Sequence, residues 1–127
     1  MTGNNCLLDT SIIIHTFKNN DLTTQLHTFS EIFIPSIAVG ELYYGAYRSA
    51  NVKKHLDQLH QFLQNYAVLM PDVATADFYG GIKAALKNKG KPIPENDIWI
   101  AAIAVQFNLP LFTLDKHFLE IDNIILV

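Results

Sequence analysis

Four carboxylates stand where an apolar run breaks into a turn or a helix start. Asp9 follows Cys6-Leu7-Leu8, and Glu41 follows Ile34-Pro35-Ser36 by one helical turn. Asp97 precedes Ile98-Trp99-Ile100-Ala101-Ala102-Ile103-Ala104, and Asp115 follows Leu111-Phe112-Thr113-Leu114. Each sits among apolar or small residues rather than in a run of charge. Carboxylates are seldom taken out of water without a partner. The chain places few basic residues near these four in sequence. Brought together, they would repel one another strongly unless a divalent cation filled the gap. Hard oxygen donors suit Mg2+ or Mn2+. Such an ion activates water and stabilises a phosphoryl transition state, which is the chemistry of phosphodiester hydrolysis. Each acid also has an ordinary role open to it. Asp97 suits the first turn of a helix, Asp9 and Asp115 suit turns, and Glu41 suits a solvent-facing helix surface. Spacing alone leaves both readings open.

The elements that must position these acids are legible as short apolar runs. Pro94-Glu95-Asn96-Asp97 has a helix-start composition, and the run behind it is apolar on every face. Such a helix must be buried on every face. Asp97 in its first turn is expected to be ionised, because the helix dipole favours negative charge there. Cys6-Leu7-Leu8, Ile32-Phe33-Ile34-Pro35, Ala67-Val68-Leu69-Met70 and Leu109-Pro110-Leu111-Phe112-Thr113 read as buried strands, with a last strand at Ile124-Ile125-Leu126-Val127. Asp9-Thr10-Ser11 predicts a helix cap. A short helix is expected from Asn19-Asn20-Asp21 to about Phe29. Ser36 is expected to cap a helix through Arg48, and Asn51 a further amphipathic helix carrying Val52, Leu56, Leu59, Phe62 and Leu63 on its core side. Asp72 starts a long helix to about Asn88, with Val73, Ala76, Tyr79, Ile82, Ala85 and Leu86 as its stripe. Short strands alternating with helices imply an α/β three-layer sandwich around a central, mostly parallel sheet. Ligands bind such sheets at the carboxyl ends of the strands, where Asp9 and Asp115 fall.

Composition bounds the rest. A chain of 127 residues, half of them apolar and 17% charged, is expected to be one globular domain over residues 1–127. A net charge of -3 argues against broad nucleic-acid coating, but local fields decide what happens at a site. Cys6 is the only cysteine, so an internal disulfide and a cysteine-built zinc site are both excluded. It reads as a small buried strand residue. Met1-Thr2-Gly3-Asn4-Asn5 lacks the features of a signal peptide, and no apolar stretch has transmembrane length. A soluble cytoplasmic protein is expected. The five histidines show no metal-ligand spacing: His55 and His60 are five apart, off the helical i, i+4 pattern. Lys83, Lys87, Lys89 and Lys91 read first as a solvated helix end, and second as phosphate contacts.

Four pieces of the chain, in order, carry a resemblance. They are Leu8-Asp9-Thr10-Ser11; Ile34-Pro35-Ser36 leading to Gly40-Glu41-Leu42-Tyr43-Tyr44-Gly45-Ala46; Asn96-Asp97-Ile98-Trp99-Ile100-Ala101-Ala102; and Leu111-Phe112-Thr113-Leu114-Asp115-Lys116-His117-Phe118. Together they resemble PIN-domain ribonucleases, specifically the VapC-type toxins of prokaryotic toxin–antitoxin pairs. The resemblance implies that Asp9, Glu41, Asp97 and Asp115 form a catalytic, metal-binding acidic site. It implies that Thr10 and Thr113 hydrogen-bond and orient Asp9 and Asp115. It further implies a Mg2+- or Mn2+-dependent endoribonuclease that leaves a 5′-phosphate and a 3′-hydroxyl. The implied partners are RNA, a cognate antitoxin that puts a basic side chain into the acidic pocket, and a second copy in a homodimer. Tyr43, Tyr44 and Tyr47 beside Glu41 suit an interface, RNA stacking or core packing, and Arg48 an RNA contact or an ion pair.

Other acidic α/β sites fit less well. A receiver domain needs an acidic pair directly after strand one, where this chain has Thr10-Ser11 behind a single Asp9. An aspartyl phosphatase needs a second Asp two residues after the first, where Ser11 stands. A catalytically inactive PIN-like module that binds RNA or protein is the remaining alternative.

Overall fold

A computed structural model describes residues 4–127. Met1–Gly3, on which part of the N-terminal reading rests, lie outside the described residues. The elements are β1 (Asn5–Leu8), α1 (Thr10–Lys18), α2 (Thr23–Leu26), β2 (Glu31–Pro35), α3 (Ser36–Arg48), α4 (Val52–Leu63), β3 (Ala67–Leu69), α5 (Val73–Lys89), α6 (Glu95–Gln106) and β4 (Leu111–Phe112). A 3₁₀ turn spans Lys116–Glu120. The four strands form one sheet in the order β3-β2-β1-β4, and every pairing is parallel. This is the α/β architecture the alternating pattern predicts.

The sheet is organised on β1, where Cys6, Leu7 and Leu8 have no exposed surface. The Cys6 thiol is pushed up to about 12 by burial, so it packs as an inert apolar group. In α6, Ile98 and Ile100 to Ala104 are all buried, as an all-apolar helix requires. Its first turn is held from the side by α5. Tyr79 stacks on Trp99 at 4.1 Å, and its hydroxyl donates to Glu95 Oε1 at 2.7 Å. Lys83 Nζ reaches the same oxygen at 2.6 Å. Asp97 is thereby fixed on a rigid element.

Several local expectations shift. The buried side of α5 is Thr75, Tyr79, Ile82 and Leu86, spaced 4-3-4, while Val73 is 88% exposed. Asp72 explains the register: its carboxylate caps Thr75 N at 3.1 Å and also takes Gln106 Nε2 at 3.0 Å, turning Thr75 inward. The helix expected from Asn20 to Phe29 is one turn, Thr23–Leu26. Pro35, not Ser36, occupies the N-cap position of α3: its ψ of 141 is extended, and Ser36 is already helical. The last strand reduces to one parallel bridge, Leu111 to Leu126. Asn123 sits at φ 64 just before it, so the chain enters the bridge from a left-handed turn. Asn51 caps α4 as expected, accepting from Lys54 N at 3.1 Å. Asn51→Ala should therefore lower stability by about 1 kcal/mol in a urea titration, and Asn51→Asp by only a few tenths. An equal loss in both would mean that the cap contributes nothing. Among the described residues, no helix is long and apolar enough to cross a membrane.

Candidate active site

Asp9 leaves the carboxyl end of β1 at the N-cap position of α1, but its side chain does not cap the helix. The carboxylate is 3% exposed and turns toward the loop after β4. Two hydroxyls donate to its Oδ2: Ser11 Oγ at 2.8 Å and Thr113 Oγ1 at 2.7 Å. Each hydroxyl accepts a backbone N–H in turn, Leu114 N on Ser11 at 3.0 Å and Asp115 N on Thr113 at 2.9 Å. Both hydroxyl protons are thereby committed to one oxygen of Asp9, and the β4 loop is tied to the first turn of α1.

Thr113 behaves as expected in joining Asp9 to Asp115. Thr10 does not. Its hydroxyl donates to Glu41 Oε1 at 2.7 Å, so it orients Glu41 rather than Asp9 or Asp115. The reason is direction: Thr10 is the first helical residue and points across to α3, while Ser11 points back to Asp9. Glu41, half-buried on α3, is tied by this contact to the residue that follows Asp9.

Asp97 and Asp115 meet across His117. The His117 Nδ1 is 3.1 Å from Asp97 Oδ2 and 3.0 Å from Asp115 Oδ1. Donor atoms of Asp97, Asp115 and His117 all lie within 4.8 Å of one another. Asp97 is 8% exposed, and its carboxyl is pushed up to about 6. Burial is the main cause, the charges of Asp115 and Asp9 add to it, and His117 partly offsets it. Desolvation and like charge therefore outweigh the helix dipole that the sequence reading relied on. The bond to Asp97, and the Asp115 charge after it, hold the His117 imidazole above its usual range. Asp9, Asp97 and Asp115 on neighbouring elements, with the His117 ring between the last two, form a fitting donor set for a divalent ion. The carboxylates match Mg2+ or Mn2+, and the imidazole is a softer donor.

Sequence reasoning missed Ser11 and His117. In sequence Ser11 belongs to a helix cap and to the first matching piece, and the signal for its role is its position two residues after Asp9. His117 has no second histidine at ligand spacing. Its signal is the Asp115-x-His117 spacing, which a 3₁₀ turn closes onto one side. The lysine run largely follows its first reading. Lys83 pairs with Glu95, and Lys89 reaches Glu120 O and Asp122. Tyr43 is half-buried against the core, while Tyr44 and Tyr47 are exposed.

Comparison with known proteins finds relatives along most of the chain. The PIN domain family matches residues 6–124. Ribonuclease VapC2 of Haemophilus influenzae is 38% identical over 102 residues, covering 77% of this chain and 76% of its own. The tRNA(fMet)-specific endonuclease VapC of Shigella flexneri is 32% identical over 110 residues, covering 84% and 83%. Among solved structures, VapBC from Salmonella typhimurium, bound to DNA, superposes with a TM-score of 0.89 at 31% identity, covering 99% of this chain and 98% of that one. VapBC2 from Rickettsia felis, bound to a promoter DNA fragment, gives a TM-score of 0.91 at 27% identity over 97% of each chain. The chain belongs to the PIN-domain family, among its VapC-type ribonucleases.

Proposed function

We propose that this chain is a divalent-metal-dependent endoribonuclease, acting as the growth-inhibiting toxin of a toxin–antitoxin pair. The observation that carries the reading is the convergence of Asp9, Asp97 and Asp115: Thr113 links Asp9 to the Asp115 backbone, and the His117 ring lies between Asp97 and Asp115. Support for the RNA substrate comes from relatives named as ribonucleases and a tRNA endonuclease. Support for an antitoxin partner and an oligomer comes from structural neighbours that are VapBC complexes. The reading takes residues 1–127 as one domain working in the cytoplasm. One hydrophobic cluster running from Cys6 to Ile121 supports the single domain.

Asp9, Asp97 and Asp115 would hold the ion, Mg2+ or Mn2+, with Glu41 at the edge of the same cluster. When bound, the ion supplies a polarised water and charge stabilisation at the scissile phosphate. Ser11 and Thr113 keep Asp9 in one rotamer, and Thr10 does the same for Glu41. The His117 imidazole lies between Asp97 and Asp115 and bonds to both carboxylates. The site collects negative charge, so an antitoxin side chain that is cationic would compete with the ion for the same space.

The test is the purified chain incubated with RNA in Mg2+, Mn2+ or EDTA. Cleavage in either metal that stops with EDTA supports the reading. Metal-independent cleavage, or binding with no cleavage of any RNA tried, would contradict it, the latter in favour of an inactive RNA-binding module.

A further inference from the structure

α3 packs through Ala38, Leu42 and Ala46 and leaves its opposite side in water. On that side Tyr44 is 63% exposed, a large ring with no packing role. Glu41, Tyr44 and Arg48 follow one another at i, i+3 and i+7, so they share one stripe of the helix. Tyr44 lies about 5 Å and Arg48 about 10 Å along the axis from Glu41. Arg48 is the chain's only arginine. Among the described residues it pairs with no carboxylate. Instead its guanidinium lies 5.4 Å over the Tyr44 ring, and Nη1 donates to Tyr44 Oη at 3.4 Å. Helical side chains lean toward the preceding turn, which for Tyr44 is Gly40-Glu41. A Cβ at Gly40 would meet nothing within 4 Å, so the flank of the ring is clear for a flat group.

We infer that this stripe is a single-stranded RNA contact, in which Tyr44 stacks a base and Arg48 takes an adjoining phosphate beside the acidic site. The inference rests on the ribonuclease reading and deepens it by placing substrate outside the acid cluster. The electrostatics favour it. A chain of net charge -3 with clustered carboxylates must hold a polyanion by fixed cations, and Arg48 is unspent where Lys83 and Lys89 are already paired. Base–aromatic stacking is tolerant of sequence and suits unpaired strands, whose bases are free to splay. A protein partner is the less favoured occupant. A stable protein interface needs a buried apolar centre, whereas the neighbours of Tyr44 on this stripe are the Glu41 carboxylate and the Arg48 guanidinium.

The test is fluorescence anisotropy of a short labelled single-stranded RNA in EDTA, where cleavage is off. Tyr44→Ala should weaken binding about 5- to 100-fold, while Tyr44→Phe stays within about threefold. Arg48→Ala should flatten the slope of log affinity against log salt by about 0.7, one phosphate's share on a single strand. Circular dichroism melts check folding, and light scattering with and without antitoxin checks assembly. Unchanged RNA affinity in folded Tyr44→Ala would overturn the inference. A loss seen only in dimer mass or antitoxin binding would also overturn it and assign the stripe to a protein. If the unmodified chain cuts RNA and Tyr44→Ala binds equally well, this inference fails alone. If it binds through Tyr44 but cuts nothing in either metal, the nuclease reading fails alone.

Discussion

Asp97→Asn should lower the RNA cleavage rate by about 1000-fold, the equivalent of the several kcal/mol a metal contributes to a phosphoryl transition state. The same change should stabilise the metal-free protein at neutral pH. The folded Asp97 carboxyl sits at about 6, above the ordinary aspartate value of 3.8, chiefly because it is buried and next because Asp115 and Asp9 are close. For an acid raised on folding, the favourable contribution belongs to the protonated form. It is complete below about 4 and is lost as pH rises through about 6. Above that window the ionised carboxylate costs roughly 1–3 kcal/mol, on the order of the shift itself. Asparagine keeps the shape and removes the charge. Melting temperatures in EDTA should therefore diverge between pH 4 and 7, with the asparagine variant higher at the upper end. Added Mn2+ should close or invert the gap, because only the unmodified site gains the binding free energy of the ion. A variant less stable than the parent at neutral pH in EDTA would show that the carboxylate is not under the repulsion described.

The second large effect is expected from two hydroxyls that do not touch substrate. Ser11→Ala combined with Thr113→Val removes both donors to Asp9 Oδ2 and both acceptors for the Leu114 and Asp115 amides. Groups that orient metal ligands typically account for 10- to 100-fold in affinity or activity, and a loss of about that size is predicted in apparent Mn2+ affinity. Leaving those groups unpaired should also cost roughly 1–3 kcal/mol of stability. Thr113→Ser keeps a hydroxyl and should recover most of the metal affinity. If the double variant melts earlier but binds Mn2+ as the parent does, the hydroxyls hold the loop together and nothing more.

Asp9 and Asp115 could be placed at one edge of the sheet from sequence because short apolar strands in parallel leave their carboxyl ends on the same side. Asp97 followed from an apolar run too continuous for any exposed helix. What stayed hidden lies between elements. Thr10 and Ser11 are adjacent and alike, yet one faces α3 and the other turns back to Asp9, a choice made by the geometry of the first helical turn. His117 looks like a surface residue in sequence and becomes part of the site only because the turn after Asp115 is tight. The upward shift of the Asp97 carboxyl is hidden in sequence, because a dipole can be read from one helix, whereas burial and neighbouring charge require the whole fold. The α5 register failed for a similar reason, since Gln106 on α6 helps set which way Thr75 points.

The account turns on whether the Asp9–Asp97–Asp115 corner holds a divalent ion. The most direct measurement is a Mn2+ titration followed by electron paramagnetic resonance, which reads free ion. It compares the unmodified chain with Asp97→Asn and with Asp57→Asn, whose carboxylate on α4 pairs with Lys53. The account predicts saturable binding in the parent and in Asp57→Asn, and its loss in Asp97→Asn. Equal Mn2+ binding by all three chains would contradict it.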